Sequence, residues 1–134
     1  MENRRNKMSY LNTWGVYQAF QGLDDDMVAV DDRVDFFGLI PNGKIFECID
    51  EGERLTLRYG NKEFRVKPQL YKVVCEPRYK IGDKVKIISS SKIVQIIDIN
   101  WHMKDNTPFY FVQDNGKRST RRYYERDLDK NEEK

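Results

Sequence analysis

The chain has a single histidine, His102, and only two cysteines, Cys48 and Cys75. A zinc site draws four ligands, mostly from those two residue types, so none is expected. Two cysteines also make no disulfide framework. Cys48 lies in Ile45-Phe46-Glu47-Cys48-Ile49 and Cys75 ends Val73-Val74-Cys75, so both read as small buried thiols. Proline is sparse, with 4 in 134 residues. No apolar run reaches the twenty or so residues that span a membrane as a helix. The basic start, Met1 to Lys7, has no apolar stretch behind it of the kind a secretory signal needs, so a cytoplasmic protein without a membrane partner is expected. Glycine-rich phosphate loops are missing too: Gly60-Asn61-Lys62 and Asn115-Gly116-Lys117 read as hairpin turns. Both thiols sit far in sequence from His102, and no nucleophile–base motif stands out. The sequence therefore predicts no enzyme, no cofactor and no metal.

Net charge is only +2, yet its distribution is uneven. Residues 1–26 carry 3 basic and 4 acidic groups, residues 27–77 carry 8 and 9, and residues 78–134 carry 13 and 9. The last part is thus basic by +4, with its cations gathered in Lys117-Arg118-Ser119-Thr120-Arg121-Arg122. Asymmetry of this kind bears on partners and not on fold.

The chain also repeats itself. Gly43-Lys44-Ile45-Phe46-Glu47-Cys48-Ile49-Asp50 returns as Ser91-Lys92-Ile93-Val94-Gln95-Ile96-Ile97-Asp98. Upstream, Val30-Asp31-Asp32-Arg33-Val34-Asp35-Phe36 matches Ile81-Gly82-Asp83-Lys84-Val85-Lys86-Ile87 in its apolar-x-Asp-basic-apolar pattern. A period of about fifty residues is that of one small unit. The pattern predicts that Ile45 superposes on Ile93 and Cys48 on Ile96. Short alternating stretches bounded by turns predict strands at Val34–Phe36, Lys44–Asp50, Leu55–Tyr59, Phe64–Val66 and Tyr71–Cys75. In the second copy they fall at Lys84–Ile87, Ile93–Ile99, Phe109–Val112 and Arg118–Tyr124, with one helical turn near Glu125–Leu128. The second copy ends soon after Leu128, so its closing strand is either missing or supplied from elsewhere. In Met8–Leu23, Tyr10, Leu11, Trp14, Tyr17 and Phe20 follow a helical spacing that Gly15 and Gly22 oppose.

The resulting expectation is a mostly β protein. It has an N-terminal segment, helical or irregular and partly disordered, over 1–27, units over 28–77 and 78–129, and a disordered tail over 130–134. The second copy resembles the small SH3-like barrels of bacteria, the group with KOW-type and Tudor-like modules. The residues that carry the likeness are Ile81-Gly82-Asp83-Lys84-Val85, Lys92 to Ile97, Pro108 to Val112, Asn115-Gly116-Lys117 and Tyr123-Tyr124-Glu125-Arg126-Asp127-Leu128. It covers residues 79–128, and 28–76 more weakly, because Asp31 stands where the second copy has Gly82. It implies two tandem SH3-like barrels. Such barrels bind nucleic acid, peptides and proteins alike, so the likeness leaves function open.

Two surfaces stand out. The segment Trp101, His102, Lys104, Asp105 and Asn106, with Tyr110 beyond it, combines a stacking ring with hydrogen-bonding groups at a strand end. Trp101 either joins that surface or continues the Ile97–Ile99 parity into the core. The second surface is Lys117, Arg118, Arg121, Arg122 and Tyr124, where cations would neutralise phosphates and tyrosine would stack on bases. Alternation puts Arg118, Arg122 and Tyr124 on one face and Arg121 on the other, and a solvated strand face is the competing reading. The near-neutral chain favours a protein partner, as for an immunity, inhibitor or adaptor protein. Nucleic acid on the basic strand is the alternative.

Overall fold

The computed structural model describes residues 9–18 and 25–131. The disordered start expected before residue 8, and Phe20 and Gly22, lie outside them, as does the tail beyond Asn131. The chain divides into two compact units, residues 1–42 with 46–74, and residues 43–45 with 75–134. Each unit is built on an antiparallel sheet, and the described residues are mostly β with one short α-helix. No helix of the described residues is long and apolar enough to cross a membrane.

The first unit contains β1 (Trp14–Tyr17), α1 (Arg33–Gly38), β2 (Phe46–Glu51), β3 (Leu55–Tyr59), β4 (Lys62–Val66) and β5 (Tyr71–Val74). The sheet order is β4-β3-β2-β1-β5. Three expectations fail here. Residues 14–17 form a strand and not a helix, because Gly15 lets β1 lie flat against β5. A Cβ there would meet the Lys72 carbonyl at 2.5 Å and the Tyr71 ring at 2.6 Å. Val34–Phe36, expected as a strand, lies in α1, and Val30–Asp32 before it forms a 3-10 turn. The apparent alternation there arose from one buried residue. Phe36 is fully buried, whereas Val34 is 84% exposed. The Phe36 ring packs 5.2 Å from Phe64, 5.7 Å from Phe46 and 5.7 Å from Tyr17. Burying such a ring contributes about 2–3 kcal/mol. Asp32 holds α1 in place: its carboxylate accepts from the Arg65 amide at 2.9 Å and the Arg65 guanidinium at 3.1 Å. Cys48 is buried as expected, but Cys75 is exposed. The run that suggested a core thiol ends at the half-buried Val74, the last residue of β5.

The second unit contains β6 (Lys84–Ile87), β7 (Lys92–His102), β8 (Thr107–Asp114), β9 (Lys117–Arg118), β10 (Tyr123–Tyr124) and β11 (Leu128–Lys130). Its main order is β10-β8-β7-β6-β11, with β9 paired to β8 alone. The hairpin between β8 and β9 uses Asn115 at φ 53° and Gly116 at φ 81°, both left-handed, as an Asn-Gly turn requires. A 3-10 turn at Glu125–Asp127 leads into β11, which pairs with β6 from Leu128↔Ile87 to Lys130↔Val85. The closing strand that seemed to be missing is therefore present, and Lys130, expected in a disordered tail, belongs to it. Residues 43–45 also serve this unit: the Ile45 amide donates to Ile99 O at 3.1 Å and the Trp101 amide to Gly43 O at 2.7 Å.

The two sheets share one order, in which the last strand returns beside the first. They share a defect as well. The register slips between Cys48 and Asp50 in β2 and between Ile96 and Asp98 in β7. The Cys48–Ile96 correspondence therefore has a structural counterpart. The Ile45–Ile93 one fails, since Ile45 precedes β2 and lies in the second unit while Ile93 lies in β7. Both sheets are open, with no ladder joining β4 to β5 or β10 to β11 among the described residues. Closed barrels are thus not what the strand pairing forms.

Candidate functional site

Strand β8 alternates along its length. Pro108, Tyr110 and Val112 are buried, while Phe109, Phe111 and Gln113 are half-buried on the opposite face. Two half-buried phenylalanines thus share the face of the sheet turned away from Tyr110 and Val112. Around these two rings the neighbouring strands bring the rest of the site.

In β7 the bulge at Ile97 reverses the facing of the residues after it, as one extra residue must. Ile99 returns to the core opposite Tyr110, and Asp98 stands opposite Phe111. Asp98 is 6% exposed. Its carboxylate accepts from Lys44 Nζ at 3.0 and 3.2 Å and from Arg118 Nη2 at 3.0 Å. Two cations on one buried carboxylate satisfy a charge that would otherwise be costly. The same contact fixes Arg118, whose guanidinium carbon lies 4.6 Å from the Phe111 ring centre.

The other arginines follow the same rule. Arg122 lies 4.5 Å over Phe109, and Arg126 lies 4.6 Å over Tyr124. Tyr124 opposes Phe109 in the β8–β10 ladder, with ring centres 6.1 Å apart. His102, at the end of β7, completes the cluster, 6.0 Å from Phe109 and 6.1 Å from Tyr124. Its Nδ1 accepts from the Asp105 amide at 3.1 Å. The result is a row of rings, Phe111, Phe109, Tyr124 and His102, with a guanidinium over each of the first three. Among the described residues, no carboxylate pairs with Arg122 or Arg126. Asn100, opposite Phe109 on this face, has its amide Nδ2 buried without a hydrogen-bond partner.

The structure thus merges parts of the two surfaces read from the sequence and separates others. His102 joins Arg118, Arg122 and Tyr124. Lys104, Asp105 and Asn106 are exposed on the adjoining turn, where Asn106 takes φ 53°. Trp101 opposes Pro108 on the core parity, half-buried. Tyr110, expected among the partner contacts, is fully buried and supports the sheet from within. Its hydroxyl donates to Glu125 at 2.7 Å and accepts from the Tyr79 amide at 3.3 Å. Burial, and then that carboxylate, push its phenol well above the ordinary tyrosine range. Arg121 turns away, 4.9 Å over Tyr123, and Lys117 points to the opposite side of the β8–β9 hairpin from Arg118, beside Asp114.

Phe109, Phe111, Arg126, Asp98 and Lys44 were not singled out from the sequence. In Phe109-Tyr110-Phe111-Val112 both parities are apolar, so alternation could not tell which faced outward. Arg126 carried a signal, standing on the same parity as Arg122 with Tyr124 between them.

Comparison with known proteins gives a family and nothing further. A family model described as a family of unknown function (DUF6960) matches residues 8–129. No curated protein and no solved structure matches the chain.

Proposed function

The chain belongs to the family of unknown function DUF6960, and from the geometry of its second sheet we propose that it is a non-enzymatic protein that binds single-stranded nucleic acid. The binding surface is the outer face of β7, β8 and β10. The observation that carries this reading is the layering of Arg118 and Arg122 over Phe111 and Phe109 at 4.6 and 4.5 Å, beside Tyr124. Guanidinium planes held over rings along one face give successive bases something to stack on, and the same arginines meet the phosphates between. The spacing of residues along a strand, about 6.6–6.8 Å between like-facing side chains, is close to the span of one extended nucleotide. Double-stranded DNA fits less well, since its bases offer only their edges.

We read the chain as two SH3-like barrels in tandem, left open at one side, because each sheet returns its last strand beside its first. Support comes from the shared order, the shared bulge and the 3-10 turn before each last strand, at Pro68–Leu70 and Glu125–Asp127.

A protein partner, of the immunity, inhibitor or adaptor kind, is the second reading. The near-neutral charge of +2 and the exposed Met103–Asn106 turn favour it. Fluorescence anisotropy with a labelled single-stranded decamer separates the two. Phe109→Ala should weaken binding about tenfold, because one stacked base is worth about 1–3 kcal/mol. Affinity indifferent to Phe109→Ala and to Arg122→Ala, with a captured protein partner lost on changing Lys104 to Asn106, would establish the second reading.

A further inference from the structure

On the other side of the β8–β9 hairpin from the ring-bearing face lies a cleft of about 440 Å³. That volume suits one small ligand. Its floor is the buried side of the sheet, Ile87, Val94 and Val112. Its rim carries Lys117, Arg118, Thr120 and Tyr123, with Ser90 facing them from the turn before β7. Lys92 and Asp114 also line it but neutralise each other at 2.9 Å. What remains is positive: Lys117 has no ion-pair partner among the described residues, and Arg118 keeps 53% of its side chain exposed. An apolar floor with a tyrosine at one side and two cations at the rim is the environment of a flat ring joined to an anion.

Arg118 lines this cleft and also covers Phe111 on the outer face. Among the described residues strand β9 pairs with β8 alone, which leaves its other side as an edge around which an extended strand can pass. We propose that the cleft is a mononucleotide pocket. It takes one nucleotide of the bound strand, with the base against Val94, Val112 and Tyr123 and the phosphate at Lys117 on the rim. This rests on the reading of the outer face as a single-strand surface, and extends it around the hairpin.

The test uses the full chain labelled with 15N, with AMP as one ligand and a labelled single-stranded decamer as the other. AMP should shift the amide signals of Ser90, Lys117 and Thr120 while leaving Phe109 and Tyr124 unmoved. Ser90→Trp, an exposed turn position whose new ring fills the cleft, should abolish those shifts. Lys117→Glu, a separate exposed position, should do the same by reversing the rim charge. Either change should weaken the decamer about tenfold, the loss of one base and its phosphate. Arg122→Ala and Phe109→Ala should weaken the decamer and leave the AMP shifts intact. If the decamer binds but AMP leaves the cleft signals unmoved and Ser90→Trp changes nothing, the pocket is refuted and the outer-face reading stands. If AMP binds in the cleft and the decamer does not bind, the pocket stands and the strand reading falls. If neither binds, both fall.

Discussion

Asp98→Asn tests how the site is held together, and Asp50→Asn is its internal control. The two aspartates occupy equivalent places, each just after the bulge of its sheet. Their surroundings differ. Asp50 is exposed, and the hydrogen bond its carboxylate makes is with the Glu51 amide at 2.9 Å. Asp98 is 6% exposed and holds Lys44 and Arg118. An asparagine there keeps the shape but removes the charge that Lys44, whose side chain is 14% exposed, faces at 3.0 Å. Breaking a buried pair by removing one partner costs about 3–5 kcal/mol. Arg118 adds little, since its exposed head can turn to water, where such pairs are worth about 0–1 kcal/mol. Asp98→Asn should therefore destabilise the second unit by about 3 kcal/mol, against less than about 0.5 kcal/mol for an exposed change such as Asp50→Asn. Urea unfolding followed by Trp101 fluorescence, with Trp14 replaced by Phe, reads the second unit. A total stability of about 5–15 kcal/mol leaves both variants folded at zero urea. Equal losses at the two positions, or a neutral Asp98→Asn, would refute the assignment of Asp98 as the anchor of the face.

Three further outcomes follow from the packing. Gly15→Ala should destabilise the first unit by about 1–3 kcal/mol, because the new methyl group meets a backbone carbonyl that cannot move without opening the β1–β5 ladder; thermal unfolding measures it, and a neutral result would contradict the close approach. Native protein should show one fast thiol, the exposed Cys75, while Cys48, buried and with its thiol pushed up by burial, reacts only on unfolding; Cys48→Ser should cost about 1–3 kcal/mol, and two fast thiols would disprove its placement. Burial raises the phenol of Tyr17 from 10.0 to about 12, so the folded state favours the neutral form; the associated stability is complete below pH 10 and is lost as pH rises from 10 towards about 12. Phenolate absorbance should show Tyr17 among the late-titrating group, and Tyr17→Phe should remove one member of it.

The sequence made most strands visible because each buries one face against its own sheet. Leu55–Tyr59 alternates Leu55, Leu57 and Tyr59 with polar residues, and those three are the buried ones. The duplication was legible in Cys48 and Ile96 because both precede a bulge that requires the same spacing. Strand β1 escaped notice because four residues containing Gly15 carry almost no periodic signal, and both partners, β2 and β5, lie far along the chain. Helix α1 was misread because its one buried ring, Phe36, sits two residues from Val34, which is open to solvent. The basic strand could be read as such, but not its rings. Whether Phe109 and Phe111 or Tyr110 and Val112 turn inward depends on the register with β7, and the bulge at Ile97 sets that register. Local alternation cannot report a choice made by a neighbouring strand.

The most direct measurement of the central claim is the salt dependence of single-strand binding by the unaltered chain and by the Arg122→Ala, Arg126→Ala double variant. Log affinity should fall linearly with log salt. For three phosphate contacts, through Arg118, Arg122 and Arg126, the slope should be about −2, and the double variant should flatten it to about −0.7. No binding of a single-stranded decamer at low salt, or a slope unchanged by loss of both arginines, would contradict the assignment of the outer face of β7, β8 and β10 as a nucleic-acid surface.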